Sequence, residues 1–341
     1  MSQRVNEMPP TQPDAGMLEA PELEELELDV APTPAAEARP GRWTSWTRFS
    51  AIPKPVRRWG IALGVLLLVC VLGPFVAPFE PNIGVSLPLE KPSGAYLLGT
   101  DGNGRDVLSR LLYGSRISIG IAALSVALGA VIGTVMGLLA AVTEGRFISV
   151  LLVRFMDAIL AFPFVVLAAV TAGVSFGQTI GIGPVEFGQK TILAAVLALI
   201  QIPIFGRLAR GTALEENSKD YVTAAKACGL RPSRILRTEL FPNVLPALIV
   251  QTSFSVVIAI SAEAAISYLG LGIQKPDPSW GNMIREGIDS IVLGGWWIAA
   301  FPTLMVIIVS IVLTNLGEAM RQALDPRAGR DRITALRTKE S

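Results

Sequence analysis

The chain has no histidine and only two cysteines, Cys70 and Cys228, in 341 residues. The missing imidazole removes the commonest general base and metal ligand. Cys70 lies inside an apolar run and Cys228 in a polar interval, so they are expected at different depths and imply no disulfide framework. Charge is scarce: Asp, Glu, Lys and Arg make up 17%, against about a quarter in soluble domains. The net charge of +1 gives no field for nucleic acid. Gly99, Gly102 and Gly104 do not make a phosphate-binding loop, because no Lys-Ser/Thr follows at the required spacing and no strand pattern precedes them.

What the chain does have is apolar length. It is 51% hydrophobic, with a mean hydropathy of +0.52. Several runs approach the roughly 20 residues that cross a bilayer as a helix. The expectation is an all-α polytopic membrane protein with about six spans, at 59–79, 117–142, 147–174, 190–209, 243–269 and 294–316. Segments 80–116 and 270–293 are read as external, and 211–242 as cytosolic. Lys and Arg crowd the approach to the first span, the 211–242 interval and the basic tail 317–341 (Arg321, Arg327, Arg330, Arg332), which places both termini in the cytosol. Residues 1–50 are rich in Pro, Glu and Ala, with acids at Glu22, Glu24, Glu25, Glu27 and Asp29, and are expected to be a disordered cytosolic tail. Trp43, Trp46 and Phe49 among basic residues suggest an interfacial approach to the lipid, and Trp280, Trp296 and Trp297 an interface belt.

Polar residues inside the spans are the candidates for function. Gly129, Gly133 and Gly137 recur every four residues, a stripe that lets helix backbones touch. It suits either a seam against a partner subunit or a contact within the chain. Arg154 and Asp157, three residues apart, are expected to pair. Pro163 is expected to kink its helix. Glu263 is a carboxylate in the fifth span, and with Gln201 and Gln251 it is a candidate for a gate or pathway; a structural role near the outer helix end is the alternative. Asp101, Arg105, Asp106 and Arg110 are expected to cap and salt-bridge an external turn.

The interval Gly211–Pro242 is polar and basic between two apolar runs. Asn217 or Ser218 is placed to cap a helix. Tyr221, Ala224, Ala225 and Cys228 then share one helical face, mostly of small side chains. Gly229 stands where a helix takes its left-handed stop, Pro232 suits the first turn of a second helix, and Pro242 is expected to close it. Two short helices meeting at an elbow are predicted; an ordinary helix-turn-helix loop is the bland alternative.

The run Ala224, Ala225, three residues, Gly229, then Leu240-Phe241-Pro242 resembles the loop of binding-protein-dependent ABC importer permeases. Thr223 and Glu239 depart from it: the family often has Glu at the first position and an apolar residue or histidine at the second. LGTDGNGRDVLSRLLYGSR (Leu98–Arg116), SYLGLG, PSWGNMI, WW and ALDPR resemble the C-type permease subunit of dipeptide, oligopeptide and nickel importers, over Trp59 to Gly329. The resemblance implies the type I ABC importer permease fold in a bacterial plasma membrane. It implies a second homologous permease subunit, two cytosolic ABC ATPase subunits that bind ATP and Mg, and an external substrate-binding protein. It places ATPase docking at Tyr221, Thr223, Ala224, Ala225, Cys228, Gly229, Leu230, Arg231, Arg234 and Pro242. It implies no catalytic residue, metal or cofactor in this chain. The implied cargo is short peptides, with nickel chelates, glutathione and other small solutes carried by relatives. Two rivals rest on the acids. An intramembrane enzyme would need Glu263 near Asp157, which the topology separates; an ion-coupled transporter would use Glu263, but no inverted repeat is visible.

Overall fold

The computed structural model describes residues 52–163, 166, 169, 180–182 and 185–324. The acidic segment 1–50, most of 164–174, and Arg327, Arg330 and Arg332 lie outside the described residues.

Nine described helices carry the chain: α1 (Lys54–Val76), α2 (Val107–Val142), α3 (Phe147–Ala161), α4 (Gln189–Asn217), α5 (Asp220–Ala227), α6 (Pro232–Ile235), α7 (Phe241–Tyr268), α8 (Trp280–Ile291) and α9 (Trp297–Leu324). A small antiparallel hairpin, β1 (Ile180–Ile182) with β2 (Val185–Phe187), precedes α4 and departs from an all-α fold. Among the described residues, five helical stretches are long and apolar enough to cross a membrane: α1, α2, α4, α6 through α7, and α9. α3 has 15 residues, short of a crossing. It stops before Pro163, because Phe162 is extended (φ −77°, ψ 128°), as a residue preceding proline tends to be. The helix is therefore interrupted there, where a kink was expected.

The other helices outrun the expected spans for identifiable reasons. α1 starts at Lys54 rather than Trp59, with Pro55 in its first turn. α2 starts ten residues before the expected 117, because the Asp106 carboxylate accepts from the Ser109 backbone N–H (2.7 Å) and caps it. Its 36 residues span about 54 Å at 1.5 Å per residue, more than the roughly 30 Å of hydrocarbon, so one end projects. α4 runs on to Asn217 and α9 to Leu324, past the expected ends at 209 and 316.

The bundle is organised on α2 against α4. A β-carbon on Gly129, Gly133 or Gly137 would overlap Gln201, the Ile202 carbonyl or the Gly206 carbonyl of α4. The glycine stripe is thus filled by the chain's own helix. This corrects the subunit-seam expectation for Gly129, Gly133 and Gly137 in favour of the internal contact. Val126, Leu138, Phe205, Ala209, Val244, Ile260 and Val309 continue the buried cluster into α7 and α9. At the other end, Trp280 and Trp297 are fully buried, donating to the carbonyls of Leu111 (3.3 Å) and Thr100 (3.1 Å). Of the three expected belt tryptophans, only Trp296 is exposed.

The Asp101 turn is more than a local cap. Arg105 Nε lies 2.7 Å from Asp101 Oδ2, and Arg110 reaches the same oxygen. Both arginines also reach Glu286 Oε2 on α8, at 3.1 and 2.6 Å, while Lys275 sits 3.2 Å from Glu286 Oε1. Burial alone would raise both carboxyls. The Arg110 charge, with Arg105 beside it, outweighs that and holds Asp101 and Glu286 below the ordinary carboxylate range. The cluster fastens the α1–α2 connection onto α8.

Candidate coupling site

The elbow forms where local chemistry directs it, with adjustments at both ends. Neither Asn217 nor Ser218 caps the short helix. Asn217 ends α4, and Ser218 closes it by donating from Oγ to the Glu215 carbonyl (2.7 Å). Lys219 is the N-cap of α5, without a side-chain bond. α5 ends in the expected glycine motif. Gly229 adopts φ +76°; its N–H donates to the Lys226 carbonyl (2.9 Å), and the Leu230 N–H to the Ala225 carbonyl (3.2 Å). Pro232 opens α6 as expected. Pro242 does not close it. A π-helical turn, Leu236–Leu240, leads straight into α7, and Pro242 sits in that helix's first turn. Proline lacks an N–H and crowds the carbonyl four residues back. The widened turn relieves that conflict without ending the helix.

One side of α5 is anchored. Val222 is wholly buried with Ile235 and Leu240, with Leu230, Leu236 and Val142 of α2 packed around them. The opposite side is open. Tyr221, Thr223, Ala224, Cys228, Gly229, Arg231, Arg234 and Pro242 are exposed, and Ala225 is half-buried. Leu230 alone among the expected docking residues turns inward, joining the anchor. No heavy atom lies within 4 Å of a β-carbon placed on Gly229. The result is a shallow, small-residue ridge edged by Arg231 and Arg234.

A polar junction unforeseen from sequence joins this ridge to both flanking spans. The Tyr221 hydroxyl donates to Glu216 Oε2 of α4 (2.7 Å) and accepts from Asn243 Nδ2 of α7 (3.1 Å). Asn243 Nδ2 also donates to the Glu239 carbonyl (2.6 Å), and Lys219 Nζ lies 2.5 Å from Glu216 Oε1. Burial first, and Glu216 next, push the Tyr221 phenol above its ordinary range. Nearby, Arg207 is the close partner of Asp157 (2.6 Å), ahead of the expected Arg154 at 3.9 Å. Arg210 pairs with Glu144 at 2.8 Å.

The pathway candidates divide. Gln201 and Gln251 meet at Ser255: Gln201 Nε2 donates to its carbonyl and Gln251 Nε2 to its hydroxyl, each at 3.2 Å. Glu263 lies two turns away on α7, about 12 Å along the axis, and is fully buried. It accepts from the Ser267 hydroxyl (2.7 Å), and the Ser118 and Ser279 hydroxyls also reach it. Each of these serines accepts a backbone N–H, from Ile273, Trp280 and Asn282 respectively, which frees its proton for the Glu263 carboxyl. Glu263 thus ties α2, α7 and the entry of α8 together. Asp157 is on α3 at the elbow end, so the two acids form no common site.

Residues 133–330 match the family described as "Binding-protein-dependent transport system inner membrane component". The "Probable D,D-dipeptide transport system permease protein DdpC" of Escherichia coli is 36% identical over 79% of this chain and 86% of its own length. The "Di/tripeptide transport system permease protein DppC" of Pseudomonas aeruginosa is 34% identical over 79% and 87%. Among solved structures, an inward-facing MetNI methionine ABC transporter aligns with a TM-score of 0.51 at 20% identity, over 63% of this chain and 96% of that one, which speaks to the fold. With five helices among the described residues long and apolar enough to cross a membrane, the chain belongs to the family of binding-protein-dependent ABC importer permeases.

Proposed function

We propose that the chain is the non-catalytic half-channel of an ATP-driven importer of di- and oligopeptides in a bacterial plasma membrane, with both termini in the cytosol. A second homologous permease subunit completes the pathway. Two cytosolic ATPases bind ATP and Mg and dock on the α5 ridge. An external substrate-binding protein delivers the cargo. The observation that carries this reading is the ridge itself: an exposed run of small residues, ended by a left-handed Gly229 and anchored from behind by buried Val222. A partner can approach such a surface closely and push on it. The peptide cargo rests on the relatives named above.

The mechanism is rigid-body coupling between two states. Nucleotide binding draws the ATPases together, and the docked helices follow. The apolar anchor passes the displacement to α2 and α7, and the tightly packed α2–α4 pair moves as one body. The energy comes from the partners, and this chain supplies only geometry. The test is reconstitution of all subunits in liposomes with labelled dipeptide outside. Uptake should require ATP inside and persist with a protonophore. Uptake that ignores ATP and collapses with the protonophore would assign the chain to ion-coupled transport.

A further inference from the structure

We propose that the Tyr221 hydroxyl is the positioning link that makes α5 move both of its flanking spans together. The inference rests on the reading of α5 as the ATPase-docking helix and adds how its movement leaves the elbow.

α5 is joined to α4 through Ser218 and Lys219 and to α6 through the Gly229 elbow. Both connections are short, but backbone torsions in either could absorb a push. Two features oppose that. The Val222 anchor is apolar and therefore non-directional: it holds α5 down yet lets it rock. The Tyr221 junction is directional, since hydrogen bonds weaken steeply off-axis. The phenol spends its single proton on Glu216 and accepts from Asn243, so one oxygen bonds the last turn of α4 and the first turn of α7 at once. A phenol keeps its proton at neutral pH, and burial beside Glu216 raises its titration further. Each partner is itself held, Glu216 by Lys219 and Asn243 by the Glu239 carbonyl in the π-helical turn. The bond to Glu216 is charge-assisted and so among the stronger kinds. A displacement of α5 thus reaches α4 and α7 along one chain of bonds, Glu216–Tyr221–Asn243–Glu239, rather than bending at whichever hinge is softer.

The experiment uses the full complex in proteoliposomes and reads the amount of peptide moved per ATP hydrolysed, with subunit stoichiometry as the assembly control. Tyr221→Phe should lower that ratio about fivefold while all subunits still co-purify. Asn243→Ala and Glu216→Ala should do the same. The Tyr221→Phe, Asn243→Ala pair should be no worse than either alone, because both cut one link. Glu216→Gln should lose less than Glu216→Ala, since an amide oxygen still accepts from the phenol but without the charge. A wild-type ratio in Tyr221→Phe, strictly additive losses, or release of the ATPases by Tyr221→Phe would each overturn the link. If the wild-type complex moves no peptide on hydrolysing ATP, it is the parent reading that fails.

Discussion

At the scale of single residues, backbone chemistry was readable and long-range charge was not. Gly229 is legible because a left-handed stop followed three residues later by Pro232 is written in neighbouring letters, and φ +76° answers it. From sequence Asp101 belongs only to a turn, because its cluster closes through Glu286, which stands 176 residues from Arg110. No local pattern announces such a partner. The cluster also carries a pH dependence whose sign follows from the shifts. Asp101 and Glu286 titrate below their ordinary values in the folded chain, so the folded state favours their charged forms. Their contribution is complete above the ordinary carboxylate pKa of about 4 and is lost as pH falls through the lower folded values. Amide hydrogen exchange should therefore show residues 100–110 and 280–291 loosening only below about pH 4. Asp101→Asn removes one acid from between two buried arginines and should cost about 3–5 kcal/mol. That would appear as a clear drop in the thermal midpoint of the detergent-solubilised protein, and an unchanged midpoint would mean the cluster is dispensable.

At the scale of elements, the existence of the helices was legible and their ends and neighbours were not. Apolar runs located the five helices that, among the described residues, are long and apolar enough to cross, but composition marks only the part that lies in hydrocarbon. α2 begins at a cap that depends on one carboxylate, and α4 continues through a polar stretch, so both outrun their apolar letters. Pro242 does not end its helix for a related reason: proline in a first helical turn is tolerated, and the π-helical turn before it takes up the conflict. The glycine stripe shows the other limit. Its spacing says that a backbone comes close, but not whose. In the structure the near backbone is α4, and the closeness is reciprocal, with Gly206 facing Gly133. Since the Ile202 and Gly206 backbones cannot yield as a flexible side chain would, a methyl at Gly133 must push the helices apart. Gly133→Ala should cost about 1–3 kcal/mol, the usual range for overpacking a dense core. Gly120, which has open space around it, is the matched control. Thermal unfolding of the two alanine variants should separate clearly, and coincident curves would show that the α2–α4 contact is looser than its geometry.

At the scale of the whole molecule, the two cysteines report on orientation and assembly without any engineered probe. Cys70 is buried within α1, whereas Cys228 is exposed on the α5 ridge. The structure fixes which helix ends lie together, and the basic residues around the elbow, Arg231, Arg234 and Arg237, argue that this end faces the cytosol. An impermeant maleimide should then label Cys228 in inside-out membrane vesicles and leave it untouched in right-side-out ones. Cys228 also lies on the surface proposed for docking, next to Gly229 and on the same face as Ala224. Adding the ATPase subunits to inside-out vesicles should slow that labelling strongly, because a thiol in a closed protein contact is shielded from the reagent. Adding the external binding protein should not change it. Labelling from the outer side would reverse the topology and, with it, the direction in which an ATPase could act. Labelling from the inner side that the ATPases leave unchanged would keep the topology and move the docking surface elsewhere. The same small thiol thus separates the orientation of the bundle from the identity of the surface that drives it.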